Sequence, residues 1–277
     1  MGILGIVIQA RIWARRLPGK ILMDLGGETV LEHIIRRCRQ VAAVDQIIVA
    51  TPDLALVPII RSYGAIPFLG DNENVLRRYI QACEAFNLDA CVRLTADCPF
   101  VDPGTISRLV ALWNSGDYDY VSNVLERSYP MGLDCEVVSL QALRGIAKRT
   151  SEKKYLEHVT LFIREHPDQY RTANLKADAD YTAFEWRLDR PEDLPYLKAL
   201  YKCVGNVLYP FVDMLRLSTK DGYAERLRVP AGAGSEPGGN PPAHDGNATA
   251  ADCTPDQPGP AWYERGHRVA GADPEPA

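Results

Sequence analysis

The 277-residue sequence has no C-x-x-C pair, no apolar run near the length of a membrane helix, and no excess of positive charge. Each absence removes a class of function. Its seven cysteines (Cys38, Cys83, Cys91, Cys98, Cys135, Cys203, Cys253) are odd in number and not spaced like zinc ligands, which argues against both zinc knuckles and a disulfide framework. Free thiols in a reducing compartment are predicted instead. A formal net charge of −5 offers no general attraction to nucleic acid. Met1–Gly5 carries no basic residue and does not read as a signal peptide, and Ile6 breaks a myristoylation pattern. The expectation is a cytoplasmic protein with no membrane and no nucleic-acid partner. Neither a GxGxxG fingerprint nor a Walker A loop is present.

The composition changes near Arg228. Residues 229–277 hold 9 Pro and 8 Gly in 49 positions, with Trp262 and Tyr263 almost the only large apolar side chains. Such a segment cannot offset its ordering entropy by burial. It is read as a disordered Pro/Gly/Ala-rich tail, and residues 1–228 as one domain, long enough to bury a sizeable core. The domain balances at 29 basic and 29 acidic residues.

Within that domain, strands and helices alternate. Ile3–Gln9 is a continuous apolar run of strand length, as expected of a strand buried on both faces. Thr29 is placed to cap a helix running to Val41, with Leu31, Ile34, Ile35 and Cys38 at helical spacing. Further strands are predicted at Gln46–Thr51, Ala65–Leu69 and Ala90–Thr95, and helices before Tyr63, over Asn72–Phe86 and over Pro103–Trp113. This rhythm predicts βαβ units around a mostly parallel sheet. After Tyr118 it becomes less regular, with short strands at Tyr120–Asn123, Cys135–Val138, Tyr170–Asn174 and Phe184–Leu188. Helices are expected there over Leu140–Lys148 and Glu152–Glu165. The prediction is an α/β domain with an inserted acceptor region.

The first loop carries the main chemical signal. Gln9-Ala10-Arg11 ends the first strand, and Arg15, Arg16 and Lys20 follow, so four cations lie within ten residues. In parallel sheets ligands sit outside the carboxyl ends of the strands. Guanidinium forks match phosphate oxygens bidentately, and a lysine acts as a point charge. The alternative for the loop is a solvated run of charge. Asp97 follows the strand ending Leu94-Thr95, and Asp189 follows Trp186-Arg187-Leu188. Two carboxylates beside phosphate oxygens are a donor set for Mg²⁺, and the alternative for each is a turn or helix cap. His158, near one face of a predicted helix with Tyr155 and Phe162, is either a packed residue or a functional one, acting as a base or contacting an acidic group on an acceptor substrate.

Taken in order, these motifs resemble a known family. Ile8-Gln9-Ala10-Arg11, Arg16-Leu17-Pro18-Gly19-Lys20, Val49-Ala50-Thr51, Thr95-Ala96-Asp97-Cys98-Pro99 and Leu188-Asp189-Arg190-Pro191-Glu192-Asp193 are similar to cytidylyltransferases that make CMP-activated acidic sugars. Tyr129-Pro130-Met131-Gly132-Leu133-Asp134-Cys135-Glu136 and Glu157-His158-Val159-Thr160 narrow the resemblance to the branch named for spore coat polysaccharide biosynthesis proteins. The resemblance spans about residues 3–203. It implies a GT-A-like (Rossmann-like) nucleotidyltransferase fold, CTP as co-substrate, Mg²⁺ and a homodimer. It implies that Arg11, Arg16 and Lys20 hold the triphosphate and that Asp97 and Asp189 hold the metal. Gln9, Ala10, Ala50 and Asn74 would then lie along base and ribose, and Asp134, Glu136, His158 and Arg187 would face the acceptor. The acceptor implied is an acidic sugar, a sugar phosphate or a phosphonate. This chain departs from the family pattern at Trp13-Ala14-Arg15, where small residues are usual, and at Arg190, which stands where a Thr is usual.

Two other classes compete. Asp117-Tyr118-Asp119 is a DxD triplet of the kind that binds a sugar-nucleotide metal in GT-A glycosyltransferases, or else a polar turn before a strand. A non-catalytic nucleotide-binding protein would tolerate Trp13 and Arg190, but would not need both Asp97 and Asp189.

Overall fold

A computed structural model describes residues 2–44, 46–204 and 210–219, so the expected tail at 229–277 lies outside the described residues. The strands are β1 (Leu4–Gln9), β2 (Ile47–Thr51), β3 (Ile66–Leu69), β4 (Ala90–Thr95), β5 (Tyr120–Ser122), β6 (Glu136–Ser139) and β7 (Thr172–Asn174). They form one seven-stranded sheet in the order β3-β2-β1-β4-β6-β5-β7. Strand β6 alone runs against its neighbours β4 and β5, and every other pairing is parallel. The helices are α1 (Val30–Cys38), α2 (Leu56–Ser62), α3 (Val75–Ala85), α4 (Pro103–Asn114), α5 (Leu140–Arg149), α6 (Lys153–His158), α7 (Leu161–Glu165), α8 (Asp193–Val204) and α9 (Phe211–Thr219).

Local chemistry fixes several starts. The Thr29 hydroxyl accepts from the Glu32 N–H at 3.2 Å, as an N-cap should. Asn74 caps α3 through the Arg77 N–H, and Asp102 caps α4 with Pro103 at its first turn. The central strands alternate between two apolar layers. Ile6, Ile8, Val92, Leu94, Val121 and Val137 pack with α1, α4, α8 and α9. Val7, Ile48, Cys91, Tyr120 and Val138 pack with α3, α5 and α7. Both faces of β1 and β4 are therefore covered, which is why these strands read as apolar runs. The five cysteines with described side chains are free and buried. Among the described residues no helix is long and apolar enough to cross a membrane.

Two expected elements differ. The helix expected over Glu152–Glu165 is two helices, broken at Val159, whose φ is 46°. Val159 and Thr160 are both fully buried. A continuous helix would turn consecutive side chains about 100° apart, whereas the break sends Val159 into the apolar layer and the Thr160 hydroxyl onto Glu136. Phe184–Leu188 is not a strand. Its backbone bonds go to single partners instead: the Trp186 N–H donates to the Met131 carbonyl, and the Leu188 N–H to the Asp97 carbonyl. Trp186 and Leu188 are buried all the same, so the alternation was a burial signal without a ladder. Gly132, at φ 99°, lies against this segment, where a Cβ would come within 2.6 Å of the Trp186 carbonyl carbon.

Candidate active site

Strands β2 and β3 extend the sheet on one side of β1, and β4 extends it on the other. The chain reverses its direction of growth there, and a crevice opens beyond the carboxyl ends of β1 and β4. It is a cavity of about 400 Å³ lined by the first loop, the segment after β4, Asp189 and the end of α6. Arg11, Arg15, Arg16, Lys20 and Arg78 contribute five cations to its wall, against the three carboxylates Asp97, Glu157 and Asp189.

The first loop is held from below. The Ala10 N–H donates to the Ala50 carbonyl at 3.1 Å, and the Ile12 N–H to Asp53 Oδ2 at 2.7 Å. Gly19 adopts φ 75°, a left-handed turn that suits glycine, and Lys20 begins a single turn of 3₁₀ helix behind it. Lys20 is thereby turned inward and is only 8% exposed. Its Nζ lies 2.8 Å from Asp97 Oδ2 and 3.2 Å from Asp189 Oδ1. Arg16 reaches Asp189 Oδ2 at 2.5 Å, and the Thr95 hydroxyl donates to Asp97 Oδ1 at 2.6 Å. Burial alone would raise both carboxyl pKa values. The Lys20 charge and hydrogen bond outweigh it, helped by Thr95 at Asp97 and by Arg16 at Asp189, so both groups lie below the usual carboxylate range. Both are ionised at neutral pH. Among the described residues no three His, Cys, Asp or Glu side chains converge to hold a metal unaided.

The cavity wall brings together Gln9, Ala10, Arg11, Arg16, Lys20, Asp97, His158 and Asp189. His158 is exposed at the end of α6, and its neighbour Glu157 lies 3.8 Å from Arg11. The remaining sequence-derived positions lie outside the wall. Ala50 is buried on β2 beside Gln9 and serves through its carbonyl. The Asn74 side chain is occupied as a helix cap. Asp134 is held bidentately by Arg127 at 2.6 and 2.9 Å. Glu136 is 3% exposed, with Arg93 on one oxygen and Thr160 on the other. Arg187 pairs with Glu185 at 2.9 Å and lies 3.9 Å from Asp189, while its buried Nε meets no hydrogen-bond partner among the described residues.

Trp13 is 73% exposed, so its ring lies largely in solvent. The DxD triplet lies elsewhere. Asp119 immediately precedes β5, at the end of the sheet opposite the crevice, and Arg171 engages both Asp117 and Asp119. The sequence reading missed Asp53, Glu157, Arg93 and Arg78. Arg78 is 2% exposed and ties the loop before α3 through the Asp71 and Asn72 carbonyls. A signal existed, because Arg78 falls at helical spacing with Val75 and Ala82 on the buried face of α3.

Residues 5–211 match the family model described as cytidylyltransferase. The spore coat polysaccharide biosynthesis protein SpsF of Bacillus subtilis (strain 168) is 37% identical over 212 residues, covering 72% of this chain and 86% of that protein. A cytidylyltransferase structure from Leptospira borgpetersenii serovar Hardjo-bovis superposes with a TM-score of 0.77 at 24% identity, covering 83% of this chain and 98% of that one. A CMP:2-keto-3-deoxy-manno-octonic acid synthetase complexed with CTP superposes at 0.58 with 19% identity, covering 72% and 98%.

Proposed function

This chain belongs to the cytidylyltransferase family, and from that premise we propose that it transfers CMP from CTP to an acidic sugar, sugar phosphate or phosphonate with release of pyrophosphate. It is a nucleotidyltransferase with the family's α/β fold. The observation that carries the reading is the Lys20 ammonium bridging Asp97 and Asp189 inside a cavity with more cations than carboxylates.

Arg11, Arg16 and Lys20 bind the triphosphate and stabilise the charge that collects on the departing pyrophosphate. Phosphoryl-type transfer needs positioning and charge stabilisation more than covalent help, and a preset cationic loop provides both. A cation already fits between Asp97 and Asp189, as the Lys20 ammonium demonstrates, and their oxygens are the hard donors that Mg²⁺ takes. Those two carboxylates would hold Mg²⁺ together with phosphate oxygens, and the ion would supply neutralisation of phosphate charge and orientation of the attacking oxygen. Gln9 and Ala10 line the base and ribose, with the Ala50 carbonyl supporting Ala10 from β2 and Asn74 fixing the start of α3. His158 and Arg187 face the acceptor. The positive charge of Arg187, 3.9 Å from Asp189, supports an anionic group there, and Asp134 is already neutralised by Arg127. Glu136 is assigned to support rather than contact. We propose a cytoplasmic homodimer, following the family resemblance.

The test is pyrophosphate release with Mg²⁺, each of the four NTPs and a panel of sugar acids, sugar phosphates and phosphonates. Acceptor-dependent release from CTP is expected. Release from another NTP overturns the base assignment, and consumption of a ready-made sugar nucleotide without pyrophosphate overturns the reaction class.

A further inference from the structure

Strand β4 reads Ala90-Cys91-Val92-Arg93-Leu94-Thr95, so a guanidinium interrupts an otherwise apolar strand at the middle of the sheet. Arg93 is paired in register with Glu136 of the antiparallel β6. Its Nη1 lies 3.2 Å from Glu136 Oε1, and its Nη2 donates to Gln9 Oε1 at 3.1 Å. The other Glu136 oxygen accepts from the Thr160 hydroxyl at 2.6 Å. Thr160 is brought there by the left-handed turn at Val159, one residue beyond the cavity-lining His158. A single chain of bonds, buried at Thr160 and Glu136 and partly buried at Arg93 and Gln9, therefore runs from the break between α6 and α7 to a side chain on the cavity wall.

The polarity of this chain is fixed by chemistry. A guanidinium has donors only, so the Gln9 atom that meets it must be the amide oxygen. The Gln9 amide cannot flip without setting donor against donor. Its Nε2 then meets no acceptor among the described residues and is left to the cavity. We infer that Arg93, Glu136 and Thr160 are positioning residues that lock the Gln9 amide with its N–H donors toward the nucleotide, where they meet an acceptor oxygen or ring nitrogen of the base or sugar.

This inference rests on CTP being the cavity's nucleotide. Thr160 is fully buried and is not part of the cavity wall, and the bonds it starts reach that wall at Gln9. Burying an ion pair is not in itself stabilising, so fixing the amide is a reason for the pair to be present.

The experiment is calorimetric titration of CTP, with Mg²⁺ present, into wild type, Gln9→Ala, Thr160→Val, Thr160→Ser and the double variant Gln9→Ala/Thr160→Val. Each protein's melting midpoint is recorded so that only folded protein is compared. Gln9→Ala is expected to weaken CTP binding by about tenfold, the worth of one good hydrogen bond. Thr160→Val alone should weaken it by about three- to tenfold and should add nothing in the Gln9→Ala background. Thr160→Ser, which keeps the hydroxyl, should bind as wild type does. Undiminished affinity in Gln9→Ala overturns the inference even if Thr160→Val fails to fold. Additive losses, or a Thr160→Ser as weak as Thr160→Val, overturn it too, because they mark Thr160 as a structural residue only. If wild type itself binds no CTP, the proposed function falls and this inference falls with it.

Discussion

Replacing Lys20 by methionine removes the cation that joins the two halves of the site while keeping most of the side chain's volume. Lys20 Nζ lies 2.8 Å from Asp97 and 3.2 Å from Asp189, and all three side chains are mostly buried. Removing one partner of a buried ion pair costs about 3–5 kcal/mol. Arg16 stays on Asp189 and water reaches the cavity, so a loss near the bottom of that range, about 3 kcal/mol, is expected. For a domain of this size that lowers the melting midpoint by about 6–12 °C. The pH dependence has a definite sign. Both carboxyl pKa values lie below their ordinary 3.8, so the stabilisation is complete above about pH 4 and is lost as pH falls through the lower folded values. The gap between wild type and Lys20→Met should therefore be full at pH 7 and should close on acidification below about pH 4. Mg²⁺ should raise the midpoint of Lys20→Met more than that of wild type, because no ammonium competes for the two carboxylates. Turnover should fall by about 10²-fold or more, as for loss of one transition-state charge partner. Scanning calorimetry across pH, with and without Mg²⁺, together with a pyrophosphate assay, reads all of these. A midpoint within about 1 °C of wild type, or a gap independent of pH, would refute the ion-triad argument.

Asp97→Asn should lower pyrophosphate release by about 10²-fold or more even at saturating Mg²⁺, and near-wild-type turnover would remove Asp97 from the metal assignment. Gly132→Ala should destabilise the fold by about 2 kcal/mol or more, since φ is 99° and the new Cβ would press on the Trp186 backbone; an unchanged thermal melt would contradict this. Because the family match ends at residue 211, a chain ending at Arg228 should keep wild-type turnover, and loss of activity on that truncation would move the domain boundary.

Much of the architecture was legible because its signals are local. The apolar run at β1, the Thr29 cap and the Pro103 start each depend on a few adjacent residues, and the structure places an element at each. The basic first loop and Asp97 were visible as charge placed just after strands, and Asp189 as charge just after a buried apolar alternation that forms no ladder. Other features depended on distant partners. Asn74 carries a turn-and-cap signal, but its occupation by the Arg77 N–H had to be seen to set it apart from the cavity wall. Glu136 reads as an available carboxylate until Arg93 is found beside it, 43 residues away in sequence but paired in register. The break at Val159 has no glycine or proline to mark it, because the cause is the burial of two consecutive side chains on different partners. Asp53 steadies the first loop from just beyond the neighbouring strand β2, a contact that spacing along the chain does not encode.

Transfer at the α-phosphorus of CTP is read out by phosphorus NMR of the reaction. With wild-type protein, Mg²⁺, CTP and a competent acceptor, the triphosphate signals should be replaced by pyrophosphate and a CMP ester of the acceptor in equal amounts. Cleavage to CDP and inorganic phosphate, or pyrophosphate accompanied only by free CMP with every acceptor tried, would contradict it.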